Sequence, residues 1–236
     1  MKYLFLYSTI DGHTKCIVDH IGEVILKAEP TAKITYESLN DKNLKEFSFD
    51  LGLYDRVLVG ASIRYGHFHP NLLTFATQYR DELHKMNTAF FGVNLTARKG
   101  NKNTVETNPY IKKWLSVCPW QPTISAVFAG ALYYPRYTFF DRTMIRFIMY
   151  ITKGDTDPTT EKVYTDWDAV TAFAQRFQSL TEKDLKEHAE KVQRHKKEEE
   201  ERQLEKNNLF LMRLVALGLL GVVAFKLFSN KKSIKS

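Results

Sequence analysis

The sequence predicts an α/β protein: a doubly wound, five-stranded parallel sheet, followed by a charged helix and a single apolar membrane helix. Three observations predict this architecture. Short apolar runs alternate with stretches of helical periodicity over residues 1–180. Residues 181–207 are mostly polar and charged and contain no glycine or proline. The next segment, Leu209–Phe228, is apolar except for Arg213 and Lys226.

Composition and charge exclude several classes of protein. Hydrophobic residues make up 44% of the chain and charged residues 26%, values typical of a folded protein rather than a disordered one. The net charge of +7 comes mostly from residues 207–236, which carry five basic and no acidic side chains. A nucleic-acid-binding protein would concentrate basic residues on its folded region, so we expect no nucleic acid partner. The two cysteines, Cys16 and Cys118, lie too far apart in the sequence to indicate a disulfide scaffold or a cysteine-ligated zinc site.

The predicted strands and helices alternate in a regular order. Strands are expected at Lys2–Tyr7, Lys33–Glu37, Asp55–Gly60, Ala89–Leu95 and Thr123–Ala131. Helices are expected at Thr14–Ala28, Asn71–His84, Pro109–Val117 and Trp167–Leu180, the last one capped by Asp166. Because strands joined through helices run parallel, the sheet should be covered on both faces. Residues 1–180 are therefore predicted to form one domain.

The C-terminal residues are predicted to attach the protein to a membrane. Segment 181–207 is expected to be an exposed helix, because acidic side chains precede basic ones by four residues. Residues 208–229 are predicted to be a transmembrane anchor, followed by a basic tail at 230–236. Since the uninterrupted apolar stretch Leu214–Phe225 has only twelve residues, a helix lying on the membrane surface is the alternative. Basic residues before the anchor outnumber those after it, which favours a cytoplasmic location for residues 1–180.

The loop after the first predicted strand has the composition of an anion site. It contains Ser8, Thr9, Ile10, Asp11, Gly12, His13 and Thr14, and it leads directly into a helix. Hydroxyl groups, a glycine that permits a tight turn and the amides of a helix N-terminus together suit a phosphate. Because the loop contains neither GxGxxG nor a GKS or GKT sequence, a terminal monophosphate such as that of FMN fits best. A simple capped turn is the alternative.

Two further strand ends are predicted to meet the first at the same edge of the sheet. The third strand contributes Ala61, Ser62, Ile63, Arg64, Tyr65 and Gly66. The fourth strand contributes Phe90, Asn94, Leu95, Thr96, Ala97 and Arg98. Small residues let a flat ring approach the backbone, while amide and hydroxyl groups can bind its polar edge. We therefore predict that the three loops hold FMN; His67 and His69 lack a third ligand nearby, so no metal is expected.

Four segments carry a resemblance to a known family. They are YSTIDGHTK (Tyr7–Lys15), YDRVLVGASIRYGHFH (Tyr54–His69), FFGVNLTARK (Phe90–Lys99) and AGALYYPRYTFFDRTMIRFIM (Ala129–Met149). These strings resemble the menaquinone-dependent protoporphyrinogen dehydrogenases, which are flavodoxin-like FMN enzymes of haem synthesis. The resemblance covers residues 1–180 and implies a flavodoxin-like fold. The charged segment and the anchor extend beyond the compact chain that is usual in this family.

The resemblance also implies a flat porphyrinogen substrate that carries two propionates. Residues 133–157 form an insertion in the fold and have matching chemistry, because arginine pairs with carboxylates and aromatic rings stack on a macrocycle. The residues expected to bind the substrate or the lipid surface are Tyr134, Arg136, Tyr137, Arg142 and Arg146. The alternative is that the insertion packs as a core helix with its arginines in solvent.

The function that these expectations support is the oxidation of protoporphyrinogen IX to protoporphyrin IX through FMN. The electrons would pass to a membrane quinone, either menaquinone or ubiquinone, at a bacterial inner membrane or a eukaryotic mitochondrial membrane. No side chain stands out as a catalytic base, and none is assigned. Two alternatives are a membrane-tethered flavodoxin-type electron carrier and an NAD(P)H:quinone reductase. The sequence leaves the oligomeric state open.

Overall fold

The computed structural model describes residues 1–40, 48–194, 197–198, 200–202 and 204–207. The chain divides into two compact units, Met1–Lys186 and Glu187–Ser236. All described residues of the second unit are helical. The first unit contains the sheet and every element described below.

Seven strands and six α-helices lie between Lys2 and Gln178 within the described residues. The strands are β1 (Lys2–Ser8), β2 (Lys33–Ser38), β3 (Arg56–Ser62), β4 (Asn87–Asn94), β5 (Ile124–Ala129), β6 (Ala131–Tyr133) and β7 (Glu161–Val163). The helices are α1 (His13–Ala28), α2 (Pro70–Gln78), α3 (Arg80–Leu83), α4 (Pro109–Val117), α5 (Phe139–Ile151) and α6 (Trp167–Gln178). The last helix begins as predicted, because the Asp166 side chain accepts a hydrogen bond from the Ala169 amide at 3.0 Å.

Five strands form a parallel sheet in the order β2-β1-β3-β4-β5, which confirms the predicted doubly wound architecture. The chain moves outward from β1 to β2 and then returns to the other side of β1 to form β3. The carboxyl ends of β1 and β3 therefore border the point where the strand order reverses, and this is where such folds bind ligands.

Apolar residues cover both faces of the sheet. Leu4 packs with Phe75 of α2 in the core of one face, whereas its neighbour Tyr3 packs with Ile17 of α1 in the core of the other. Successive side chains of a strand point to opposite faces, so a strand buried on both sides must be apolar throughout. This is why the strands could be recognised in the sequence as continuous apolar runs.

The prediction of one strand over Thr123–Ala131 is wrong at its end. Strand β5 stops at Ala129, and β6 pairs antiparallel with β7 in a separate two-stranded sheet. The chain leaves the main sheet at Gly130, whose carbonyl accepts from the Tyr164 amide at 3.1 Å. The small sheet brackets residues 134–160, and α5 lies within this segment.

Two helices also differ from their predicted bounds. The single helix expected at Asn71–His84 is divided into α2 and α3 at Tyr79, whose hydroxyl accepts a hydrogen bond from the Phe49 amide at 2.8 Å. In the insertion, the sequence predicts a helix from Asp141 onward. Helix α5 begins two residues earlier, at Phe139, because Thr138 caps it by accepting from the Asp141 amide.

Among the described residues, no helix combines the length and the apolar character needed to cross a bilayer. The predicted anchor at 208–229 and the basic tail at 230–236 lie outside the described residues. The anchor therefore stays a prediction from the sequence.

Candidate functional site

A cavity of about 410 Å³ opens at the carboxyl edge of the parallel sheet. All three predicted loops contribute to its wall. The predicted residues that line it are Thr9, Ile10, Asp11, His13, Thr14, Ser62, Ile63, Arg64, Tyr65, Gly66, Asn94, Leu95, Thr96 and Tyr137. The structure therefore brings the loops together at the edge where the sequence placed them.

The first loop is shaped to hold an anion. Gly12 has a φ of +81° and turns the chain into α1, which carries no side-chain cap at its N-terminus. The first amides of α1 thus have no intrahelical partner. The hydroxyl oxygen of Thr14 is buried and has no hydrogen-bond partner among the described residues. The oxygens of a phosphate bound here would accept hydrogen bonds from the α1 amides and from the Thr14 hydroxyl. The loop therefore fits the phosphate end of FMN.

The second loop makes a tight reversal. The Arg64 and His67 backbones exchange two hydrogen bonds of 2.9 and 3.0 Å around Tyr65 and Gly66. Both central residues have positive φ, +51° for Tyr65 and +83° for Gly66, as a type I′ turn requires. Such a conformation is unfavourable for a tyrosine, and residues strained in this way cluster at functional sites. It places the Tyr65 ring at the rim of the cavity.

One arginine joins three segments around the cavity. Arg64 pairs with Asp11 of the first loop at 2.9 Å and with Asp141 of α5 at 3.0 Å. The Tyr65 hydroxyl donates to the same Asp141 carboxylate, and this hydrogen bond lowers the pKa of Asp141. Burial raises the pKa of Asp11, whereas Arg64 opposes that rise. The network holds α5 against the two loops.

His13 lines the cavity in one defined tautomer. The Thr165 hydroxyl donates to the Ala129 carbonyl at 2.7 Å, so it accepts from Nε2 of His13 at 2.6 Å. The other ring nitrogen, Nδ1, is then the acceptor for the Tyr133 hydroxyl at 3.3 Å. Burial lowers the pKa of His13, which favours this neutral form.

The third loop is held by side chains of its own. The Asn94 side chain accepts from the Ala97 amide at 3.0 Å and so caps the short helix Leu95–Arg98. Arg98 donates to the Leu95 carbonyl and, at 2.8 Å, to the Thr152 hydroxyl just after α5. Arg98 therefore connects the third loop to the C-terminal end of α5, and it is not among the residues that line the cavity.

Six predicted cofactor residues are not part of the cavity lining: Ser8, Gly12, Ala61, Phe90, Ala97 and Arg98. Gly12 acts through the turn that it permits. Phe90 is buried in the core against Phe68, Trp114 and Trp120. The binding roles of the six residues stay predictions.

The residues predicted to contact substrate or lipid are mostly outside the cavity wall. Tyr137 lines it, whereas Tyr134 is buried with its hydroxyl donating to the Asp155 carbonyl. Each arginine has a partner within the protein. Arg136 pairs with Glu161 at 2.9 Å, Arg142 donates to the Tyr134 and Tyr137 carbonyls, and Arg146 donates to the Thr156 carbonyl.

Seven lining residues were not predicted: Val93, Tyr110, Gly130, Ala131, Met144, Ile145 and Ile148. Three of them come from α5 at the spacing of one helix face. That periodicity is visible in the sequence, but it does not show that the helix folds back over the carboxyl edge of the sheet.

Comparison with known proteins agrees with this arrangement. A family described as a flavodoxin domain matches residues 4–159, which include all three loops and α5. A protoporphyrinogen IX dehydrogenase (quinone) from Leishmania major is 51% identical over 179 residues, 76% of this chain and 75% of that protein. The protein of the same name from Escherichia coli K12 is 42% identical over 183 residues, 78% of this chain and 98% of that protein. The chain belongs to this family of flavodoxin-domain proteins.

The chain also resembles solved structures of a flavodoxin and an azoreductase. Oxidised flavodoxin 1 from Bacillus cereus aligns with a TM-score of 0.43 and 16% identity. The alignment covers 77% of this chain and 100% of the flavodoxin. An azoreductase from Bacillus anthracis aligns with a TM-score of 0.44 and 12% identity. The alignment covers 75% of this chain and 99% of the azoreductase.

Proposed function

We propose that the protein oxidises protoporphyrinogen IX to protoporphyrin IX with bound FMN and passes the electrons to a quinone. The observation that carries this proposal is the cavity at the carboxyl edge of a flavodoxin-type sheet. Support comes from relatives at 51% and 42% identity that are named for this reaction. Bound FMN would accept hydride equivalents from the macrocycle and release electrons to the quinone.

The first loop is the proposed phosphate site. The amides at the start of α1 and the unpartnered Thr14 hydroxyl would donate to the phosphate oxygens. No lysine or arginine lies in the loop itself, and the helix N-terminus supplies the positive end of a dipole instead.

The other loops and α5 position a flat ring and keep water away from it. Gly66 and Thr96 offer little steric bulk on the sheet side, while Met144, Ile145 and Ile148 form an apolar wall on the other. Arg64 holds this wall in place through Asp141. An apolar enclosure suits the oily macrocycle and excludes solvent from the reacting atoms.

The propionate groups of the substrate need cations at the entrance. Arg136 fits this role because its side chain is exposed and its partner, Glu161, presents a carboxylate that a propionate can replace. Arg146 is also exposed, whereas Arg142 is occupied by two carbonyls and orients the start of α5. Tyr137 supplies aromatic surface in the cavity wall, whereas the Tyr134 ring is buried behind it and supports the segment.

For the C-terminal residues we propose a membrane anchor at 208–229 that keeps the dehydrogenase unit on the cytoplasmic side, or on an equivalent side in an organelle. Its support is the apolar character of the segment and the basic residues that precede it. An anchor raises the effective concentration of a quinone confined to the bilayer.

The experiment that tests the function uses the purified full-length chain. We expect a flavin absorbance spectrum, and we expect porphyrin fluorescence to develop from protoporphyrinogen when a soluble naphthoquinone is added. Bound flavin without porphyrin formation would contradict the dehydrogenase activity. Rapid bleaching of the flavin by NADH or NADPH would identify a nicotinamide-driven quinone reductase instead.

A further inference from the structure

Helix α5 exposes an apolar stripe on the side that faces away from its buried residues. Ile145 and Met149 point into the protein and are buried. Phe140, Phe147 and Ile151 are 68%, 59% and 62% exposed. At 100° per residue, these three side chains lie within one narrow sector of the helix, roughly opposite Met149. Helix α5 is therefore apolar on two faces, and only one of them is covered within the described residues.

The exposed stripe is continuous with the entrance of the cavity. Met144 and Ile148 lie between the stripe and the cavity on α5, and both are partly exposed and line the cavity. An apolar molecule that arrives at the stripe can therefore reach the cavity without crossing a charged surface.

The charges around the stripe suit an anionic membrane surface. Arg146 is exposed about 100° around the helix from Phe147, and Lys153 is exposed two residues after the helix ends. The sole acidic residue of α5, Asp141, is engaged by Arg64 and Tyr65. Basic residues beside exposed aromatic and aliphatic side chains are the pattern of a helix that lies in the membrane interface.

We propose that this stripe of α5, formed by Phe140, Phe147 and Ile151, inserts into the bilayer and opens the cavity to quinone dissolved in the hydrocarbon. The inference rests on the proposed function for the identity of the acceptor, but the insertion itself does not depend on catalysis. Two phenylalanines and an isoleucine bury enough apolar surface to hold the helix at the interface. The quinone then enters between Met144 and Ile148.

Insertion is tested by a fluorescence depth measurement on the full-length chain. Phe147→Trp places a reporter on the stripe, and Val117→Trp places one at the exposed C-terminal end of α4, away from the cavity. Vesicles of phosphatidylcholine and phosphatidylglycerol are prepared with and without brominated acyl chains. We expect brominated lipid to lower the added emission of Phe147→Trp about twofold and to leave that of Val117→Trp unchanged.

Delivery of quinone is tested by kinetics with two acceptors. The double variant Phe147→Ser, Ile151→Ser should lose about tenfold in turnover with a long-chain quinone embedded in vesicles. Turnover with a soluble naphthoquinone should stay at the wild-type level, because neither residue lines the cavity.

Other outcomes overturn the inference. Equal losses with both acceptors, or no loss with either, would show that the stripe does not serve the membrane-bound quinone. An unquenched reporter at position 147 would exclude insertion. A concentration-dependent dimer that the double variant abolishes would identify a second copy of the chain as the occupant. Absence of porphyrin formation with every acceptor would instead refute the proposed function, while the quenching result would still decide insertion.

Discussion

Thr14 shows how a single side chain can indicate a ligand. Its hydroxyl is buried in the first turn of α1 and has no partner among the described residues. A buried hydroxyl left without a hydrogen bond costs about 1–3 kcal/mol. The neighbouring amides of α1 point to the same place, so an anion at the helix N-terminus would compensate all of these donors at once.

We expect Thr14→Val to weaken FMN binding by about ten- to a hundredfold and to leave the unfolding temperature of the flavin-free protein unchanged or slightly higher. Valine keeps the shape of the side chain and removes a hydrogen bond to a charged group, which is worth about 1.5–3 kcal/mol. Flavin fluorescence titration measures the affinity. Thr74→Val on the exposed side of α2 is the matched control. Unchanged affinity in Thr14→Val would exclude the hydroxyl from the phosphate site.

His13 makes the stability of the protein depend on pH. Its pKa in the folded state is lowered from the ordinary value of 6.5 by burial. The folded state therefore favours the neutral ring, and this contribution is fully present above the unfolded pKa and is lost as the pH falls towards the folded pKa. We expect His13→Gln to lose less stability than wild type between about pH 7 and pH 5. Urea unfolding at each pH measures this, and parallel curves for the two proteins would contradict it.

At the scale of elements, the site residues that could be predicted are those at the ends of the parallel strands. Thr14 and Asn94 could be placed at one edge because parallel strands joined by helices end on the same side. That Met144 and Ile148 line the cavity could not be predicted. Their position depends on how the segment between β6 and β7 folds back over the carboxyl edge of the sheet. Gly130, where the chain leaves the main sheet, has no sequence signal that distinguishes it from a glycine inside a strand.

Arg56 links two elements far from the cavity. It is 95% buried at the start of β3, and its guanidinium donates to the carbonyls of Phe177 and Leu180. Phe177 lies in the last turn of α6 and Leu180 follows the helix by two residues, so Arg56 fastens this end of the helix to the sheet. A cation at a helix C-terminus also interacts favourably with the helix dipole.

We expect Arg56→Met to lower the free energy of unfolding by about 2–4 kcal/mol, because two buried carbonyls lose a charged donor. Arg80→Met removes an exposed pair with Asp81 and should change the free energy of unfolding far less, because solvent screens that pair. Chemical denaturation measures both. Flavin affinity of the folded Arg56→Met protein should match wild type, since Arg56 does not line the cavity. Equal stability of the two variants would refute the linking role.

For the whole molecule, charge and composition change along the chain. The five basic residues of 207–236 follow a helical, charged segment, and the sheet lies entirely in the first unit. The relative from Escherichia coli is matched over 98% of its length by 183 residues of this chain. The residues of the proposed active site therefore lie in the first unit. The C-terminal segment is expected to contribute by attaching the protein to the membrane.

We expect removal of residues 208–236 to lower turnover with a quinone embedded in vesicles more than turnover with a soluble quinone. The truncated chain keeps the cavity but no longer concentrates it at the bilayer. Porphyrin fluorescence measured with each acceptor gives the two rates. A loss of the same size with both acceptors would show that the segment supports folding or catalysis rather than membrane attachment.

The modest burial of α5 has a consequence for how a rigid macrocycle reaches its site. Only Ile145 and Met149 of its thirteen residues are buried, against seven of sixteen in α1. A segment with so few core contacts opens at a small free-energy cost while the sheet stays intact. Its amides should therefore exchange with deuterium well before those of α1 and slow markedly once porphyrin is bound. If they exchange as slowly as the amides of α1 in the free protein, this opening is excluded.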